Sequence, residues 1–231
     1  MITQIYSLSD PALAVEVAKA GADYIGVNPT AKNNGKTKEK AMADSIAVFN
    51  AIDGLATKVA LSIDCTFEEQ VEIIEKVKPD ILHICGNDDD ATPELVKKLK
   101  EVDPKLRIEQ AVAMSGPEAI EKAIYFSEFC DLLILDSVVP NVIGVGAAGI
   151  THDWSWDKEI CEKAKCPVIV AGGLGVHNVE DCIRATLPFG VDSLTKTSIK
   201  LTADGDMRKD AEKVRLFCER ADKAAKEAGL E

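Results

Sequence analysis

Short apolar runs alternate with stretches of helical spacing from one end of this chain to the other, and that alternation restricts the fold more than any other feature. The runs are Ile2–Tyr6, Ala22–Val27, Lys58–Ile63, Ile81–Ile84, Leu106–Ala111, Leu132–Leu135, Val168–Ala171 and Val191–Leu194. Helical patterns follow each of them: Pro11–Ala20, Lys38–Ile52, Thr66–Val77, a segment opened by Thr92-Pro93-Glu94, Gly116–Ser127, Asp153–Ala164, Asn178–Leu187 and Asp206–Ala228. Asp10 before Pro11 and Gly21 after Ala20 are the start and stop signals expected of the first helix. Strict βα alternation requires parallel pairing with right-handed crossovers, and eight units close on themselves. The expected fold is α/β, a single (β/α)8 TIM barrel occupying 1–231. An open doubly wound sheet would carry a Gly-rich first βα turn. Ser7-Leu8-Ser9-Asp10 holds no glycine.

Composition narrows the function. A net charge of −12 and a pI of about 4.8 argue against a general nucleic-acid binder, which carries a basic surface. No apolar run approaches the ~20 residues that a membrane helix needs, so no membrane partner is expected. The first residues lack the basic and apolar regions of a secretory signal. The seven cysteines are odd in number and form no CxxC pair, which argues against a disulfide framework. A cytoplasmic protein, monomer or homodimer, is expected, with most cysteines packed as small core residues.

Two strand endings point to a ligand. Ala171-Gly172-Gly173-Leu174 follows the seventh run, and Asp192-Ser193-Leu194-Thr195-Lys196-Thr197-Ser198 continues the eighth. Each is expected to end a buried strand in small or hydroxyl residues and lead into a helix. In a barrel, backbone N–H groups at these two places and a helix N-terminus grip a phosphate. The expected partner is a small phosphorylated metabolite. A few N–H groups and one Lys can bind it despite the acidic whole.

By these residues the chain resembles the phosphoribosylanthranilate isomerase family, barrels that carry out an Amadori rearrangement in tryptophan biosynthesis. Leu133-Ile134-Leu135-Asp136 resembles the sixth-strand motif that ends in the family's catalytic Asp. Gly146-Ala147-Ala148-Gly149 with His152-Asp153-Trp154 is similar to its glycine-rich loop ending in Phe-Asp-Trp. Val170-Ala171-Gly172-Gly173-Leu174 with Asn178-Val179 is close to the seventh-strand phosphate motif. Phe189-Gly190-Val191-Asp192 and Gly21-Ala22-Asp23-Tyr24-Ile25-Gly26 also fit. Departures stand beside these. The family's first strand reads Lys-Ile-Cys-Gly with the Cys as general base; Gln4-Ile5-Tyr6-Ser7 puts Tyr6 there. The fourth strand reads His83-Ile84-Cys85-Gly86 where the family has Gln-Leu-His-Gly. The Arg of the second loop has no counterpart beyond Lys32 and Lys36. Thr195-Lys196 replaces a Ser-Gly pair.

The resemblance implies an intramolecular isomerase of a phosphorylated sugar or sugar-amine. Such chemistry needs an acid at the oxygen and a base at the neighbouring carbon. Asp136 is the candidate acid, since an acid group after four apolar residues is desolvated and its pKa raised. Asp64, ending the third strand, is the leading base, with N-capping of the next helix as its plain alternative. Tyr6 could donate a hydrogen bond but is a poor base. Gly149, Gly172, Gly173, Thr195, Lys196 and His83 complete the expected substrate and phosphate set. His152 could gate the site or lie on the surface, and His177 is expected on the surface. Two alternatives remain. One is a metal-dependent sugar-phosphate epimerase, should Asp64, His83, Glu109 and Asp136 converge. The other is a binder of a phosphorylated metabolite without turnover. The main reading names no metal and no cofactor.

Overall fold

Eight parallel strands pair in chain order and close, the last against the first. The computed structural model describes residues 1–30, 35–86, 90–138, 149–201 and 207–230. The barrel strands are β1 Ile2–Ile5, β2 Tyr24–Val27, β3 Thr57–Ser62, β4 Ile81–Ile84, β5 Arg107–Ala113, β6 Leu132–Asp136, β7 Val168–Val170 and β8 Gly190–Ser193. The helices between them are α1 Pro11–Lys19, α2 Lys38–Ala51, α3 Phe67–Val77, α4 Pro93–Val102, α5 Glu118–Ser127, α6 Trp154–Lys163 and α7 Val179–Thr186. This is the (β/α)8 barrel expected from the alternation.

Two cores follow from the period-2 alternation of strand side chains. In β6, Leu133 and Leu135 face outward into the main core between barrel and helices, while Leu132 and Ile134 face the barrel interior. In β4, Leu82 and Ile84 face out, Ile81 and Cys85 in. Position 136 shares the inward parity of 132 and 134, so the strand delivers Asp136 to the mouth.

At the opposite end, three aspartates precede β2, β4 and β6 and tie each to the strand before it. Asp23, Asp80 and Asp131 each accept an N–H at 2.8 Å, from Thr3, Lys58 and Ile108. These bonds pin register far from the mouth.

One expectation is corrected. β8 does not lead directly into a helix. The chain instead forms an antiparallel hairpin, β9 Ser198–Lys200 against β10 Met207–Lys209. The closing helix, α8 Ala211–Glu227, begins after it, capped by Asp210, whose carboxylate accepts from Glu212 and Lys213 N–H at 3.0 and 3.3 Å. The hairpin escaped notice because its strands are short and charged. Side-chain bonding holds it: Lys209 is buried and reaches back to the Leu194 carbonyl, just beyond β8.

Candidate active site

Register assembles a polar layer inside the barrel. His83 pairs in register with Glu109 on β4 and β5, and Gln4 with Asp192 on β1 and β8. All four are buried. The Gln4 amide donates to Glu109 at 3.4 and 3.5 Å, and His83 Nδ1 lies 3.2 Å from Glu109 Oε2. Tyr6, one layer higher, places its hydroxyl 2.7 Å from the same Nδ1. Burial pushes Glu109 up to about 8, against the Gln4 hydrogen bond and the Arg107 charge, and pulls His83 down to about 3. Burial, with the charges of Glu109, Asp192 and Cys85, also raises Tyr6 well above its ordinary range. Near neutral pH these three groups are uncharged. Tyr6 is therefore a hydrogen-bonding group here, not a base.

Above this layer lies a narrow cleft lined by Asp136, Gly149, Gly172, Gly173, Asp192 and Thr195, among others. Gly172 and Gly173 both have left-handed backbone, φ 83° and 63°. A Cβ on Gly173 would meet the Gly149–Ile150 backbone at 2.7–2.9 Å, so only glycine lets the two loops close. Among the described residues, the Gly173 and Thr195 N–H groups have no hydrogen-bond partner. Unpartnered N–H groups on residues that line one cleft suit an anion.

Two carboxyls share this cleft. Burial raises Asp136 to about 7, opposed by the Ser137 N–H, which donates to its Oδ1 at 2.7 Å. Asp192 is also raised, by burial first and then by the charges of Asp136 and Glu109. Among the described residues its Oδ2 has no hydrogen-bond partner. Asp192 was not singled out from the sequence. Its signal was there: Val191 packs outward, so position 192 faces in.

The other expected residues fall as follows. Asp64 lies exposed beyond β3 with a left-handed φ of 44°, outside the cleft lining. The N-cap of α3 is Thr66, in a reciprocal capping box with Glu69. Lys196 is exposed at the rim, and His83 belongs to the polar layer below. His152 is not a surface residue: its side chain is 5% exposed, with Nε2 at 2.8 and 2.9 Å from the buried Asp157 carboxylate and Nδ1 2.9 Å from Ser137 Oγ. That array sets Ser137 and the His152 ring against Gly172. His177 is exposed. Gly146, Ala147, Ala148 and Lys32 lie outside the described residues. Of the four candidate metal ligands, His83 and Glu109 touch; among the described residues no three His, Cys, Asp or Glu side chains gather as a metal site.

A groove lined by Tyr24, Lys58, Asp80 and Arg107 opens at the other end. There Arg107 lies over the Tyr24 ring and donates to its hydroxyl at 3.2 Å. This is the stability face of such barrels.

With this geometry described, comparison with known proteins is decisive. The family model of N-(5'phosphoribosyl)anthranilate (PRA) isomerase matches residues 4–220. The chain belongs to this family. A curated relative named N-(5'-phosphoribosyl)anthranilate isomerase, from Methanocella arvoryzae, is 27% identical over 216 residues, covering 94% of this chain and 95% of that protein. Phosphoribosyl anthranilate isomerase from Thermotoga maritima has the same fold, with a TM-score of 0.77 at 20% identity, covering 96% of this chain and all of that one. A further solved structure, TM-score 0.75 at 19% identity and with the same coverage, is described in complex with reduced 1-(o-carboxyphenylamino)-1-deoxyribulose 5-phosphate. The expected isomerase of a phosphorylated sugar-amine agrees with PRA isomerase membership.

Proposed function

We propose that this chain catalyses the Amadori-type isomerisation of a phosphoribosyl-amine, N-(5'-phosphoribosyl)anthranilate being the substrate its relatives are named for. One observation carries the reading: two carboxyls of raised pKa, Asp136 and Asp192, share a cleft with the unpartnered N–H groups of Gly173 and Thr195. The N–H groups hold the phosphate. Asp136, protonated, gives its proton to the ring oxygen as the bond from that oxygen to the anomeric carbon breaks, leaving an iminium. Asp192, ionised, removes the proton from the neighbouring carbon, and the freed electron pair neutralises the iminium as an enol-amine. Transfer of the enol proton to the former anomeric carbon yields the amino-ketose. A carboxyl held at about 7 suits the acid role of Asp136. Because the charge of one raises the pKa of the other, the pair favours a single shared proton.

Asp64 is the alternative base should Asp192 not serve. Tyr6 and His83 support the reading as uncharged groups under the mouth. Phosphate binding by Gly149, Gly172, Gly173, Thr195 and Lys196 belongs to the same proposal. So does a one-domain cytoplasmic protein, monomer or homodimer.

The test is turnover of N-(5'-phosphoribosyl)anthranilate by wild type, Asp136→Asn, Asp192→Asn and Asp64→Asn. The reading expects the first two substitutions to abolish turnover and the third to spare it. Loss only in Asp64→Asn would move the base to Asp64. No turnover by the wild type, with phosphate still bound, would make this a non-catalytic binder.

A further inference from the structure

The buried cation beside the cleft comes from the hairpin, not from a barrel strand. Lys209, on β10, is 5% exposed. Its Nζ donates to the Leu194 carbonyl and lies 3.0 Å from Ser198 Oγ and 3.2 Å from Thr197 Oγ1. The same carbonyl accepts from Ser198 Oγ at 2.8 Å and Thr197 Oγ1 at 3.3 Å. Three side chains thus converge on one peptide oxygen.

A trans peptide is planar, so its C=O and the next N–H point in opposite directions. Holding the Leu194 oxygen toward Lys209 turns the Thr195 N–H away from it, and Leu194 and Thr195 both line the glycine cleft. That N–H has no partner among the described residues. An ammonium on the carbonyl also polarises the peptide and makes its N–H a stronger donor. We propose that Lys209 is the positioning residue of the phosphate site, aiming the Thr195 N–H at the substrate's phosphate through the Leu194–Thr195 peptide without touching the ligand. The inference rests on the phosphate-binding reading of the cleft.

Stability alone does not account for this lysine. Burying a charge is costly, and apolar residues of similar volume often replace buried ions at no loss. Burial pulls the Lys209 amine down to about 7, while the charge of Asp192 holds it up. An anion in the cleft would add to that second effect.

Calorimetric titration with inorganic phosphate and ribose 5-phosphate tests the inference on wild type and Lys209→Met, an uncharged side chain of similar length. The expected result is a folded Lys209→Met protein that binds both ligands roughly tenfold more weakly, the size of one charge-assisted hydrogen bond. KM for the phosphorylated substrate should rise more than kcat falls, and Lys209→Arg should recover part of the affinity. If wild type binds neither ligand, the phosphate reading fails and takes the inference with it. If wild type binds and folded Lys209→Met binds equally well, the inference alone is overturned. Should Lys209→Met not fold, Thr197→Val/Ser198→Ala strips two of the three donors from the Leu194 carbonyl. Weakened phosphate binding in that folded double variant supports the inference, and unchanged binding overturns it.

Discussion

The ring of Tyr6 rests on Gly26: a Cβ added at Gly26 would fall 1.9 Å from Tyr6 Cε1 and 2.0 Å from Cδ1. The first strand thus carries a large ring where the family's base is expected, and the second strand makes room by having no side chain. Gly26→Ala should force the ring off its place and break the 2.7 Å contact with His83. Overpacking of this kind costs about 1–3 kcal/mol. Urea unfolding of Gly26→Ala should show that loss, and Gly26→Ala with Tyr6→Ala should recover much of it. A Gly26→Ala protein as stable as wild type would mean that the ring has other room.

Tyr6→Phe separates the hydroxyl from the ring. It keeps the packing on Gly26 but leaves His83 Nδ1 with Glu109 alone. The expected cost is about 1 kcal/mol, one buried hydrogen bond. Binding of inorganic phosphate should not change, because Tyr6 is not among the residues lining the cleft.

Glu109 makes stability depend on pH. Its carboxyl is held up at about 8 by burial, against an ordinary value of 4.5. Between these values the folded protein keeps a proton that the unfolded chain releases. Its contribution is therefore fully present below about 4.5 and is lost as pH rises through about 8. Glu109→Gln keeps the shape and has no proton to lose. Unfolding free energy measured from pH 5 to 9 should fall less steeply for Glu109→Gln than for wild type. Parallel profiles would show that Glu109 is ionised in the folded protein.

The barrel was legible because its evidence is periodic. Eight apolar runs repeat with helical stretches between them, and parity along β6 alone sends Asp136 inward. The cleft glycines were legible too, since left-handed backbone at Gly172 and Gly173 needs that residue type. What escaped depends on contacts across the sequence. Asp192 sits in a strand whose parity could have flagged it, but Asp136 is brought to it by the pairing of β6, β7 and β8, and Lys209 by the hairpin. Lys209 stands among charged residues in Met207–Lys209, a pattern typical of solvent-exposed chain. Only three oxygen acceptors drawn from Leu194, Thr197 and Ser198 explain its burial. The chain therefore pointed to Lys196 as the phosphate's cation, while the structure keeps Lys196 exposed and buries Lys209.

The two lysines should separate by salt. Lys196 stands at the rim, where a long exposed side chain can swing over a bound anion. Its charge there is screened. Lys196→Ala should weaken binding of ribose 5-phosphate by about 1 kcal/mol in low salt, and by less as salt rises. Unchanged affinity in low salt would remove Lys196 from the site.

Asp136 gives the sharpest test of the chemistry. It ends an apolar strand, its carboxyl is raised to about 7 by burial, and Asp192 lies in the same cleft. An acid with that value is protonated at lower pH and loses its proton as pH passes through 7. Turnover that needs the acid form must then fall above about 7. Ionised Asp192 is needed as base, so turnover must also fall at the acid end, giving a bell-shaped profile. Asp136→Asn keeps the reach toward the Ser137 N–H but cannot give up a proton to the ring oxygen. It should fold, bind ribose 5-phosphate as wild type does, and lose roughly 10²–10⁴ in kcat, the range for a missing general acid. Retained activity would place the acid elsewhere. An unfolded Asp136→Asn protein would mean that the fold needs the carboxyl itself and would make Asp136 a structural residue.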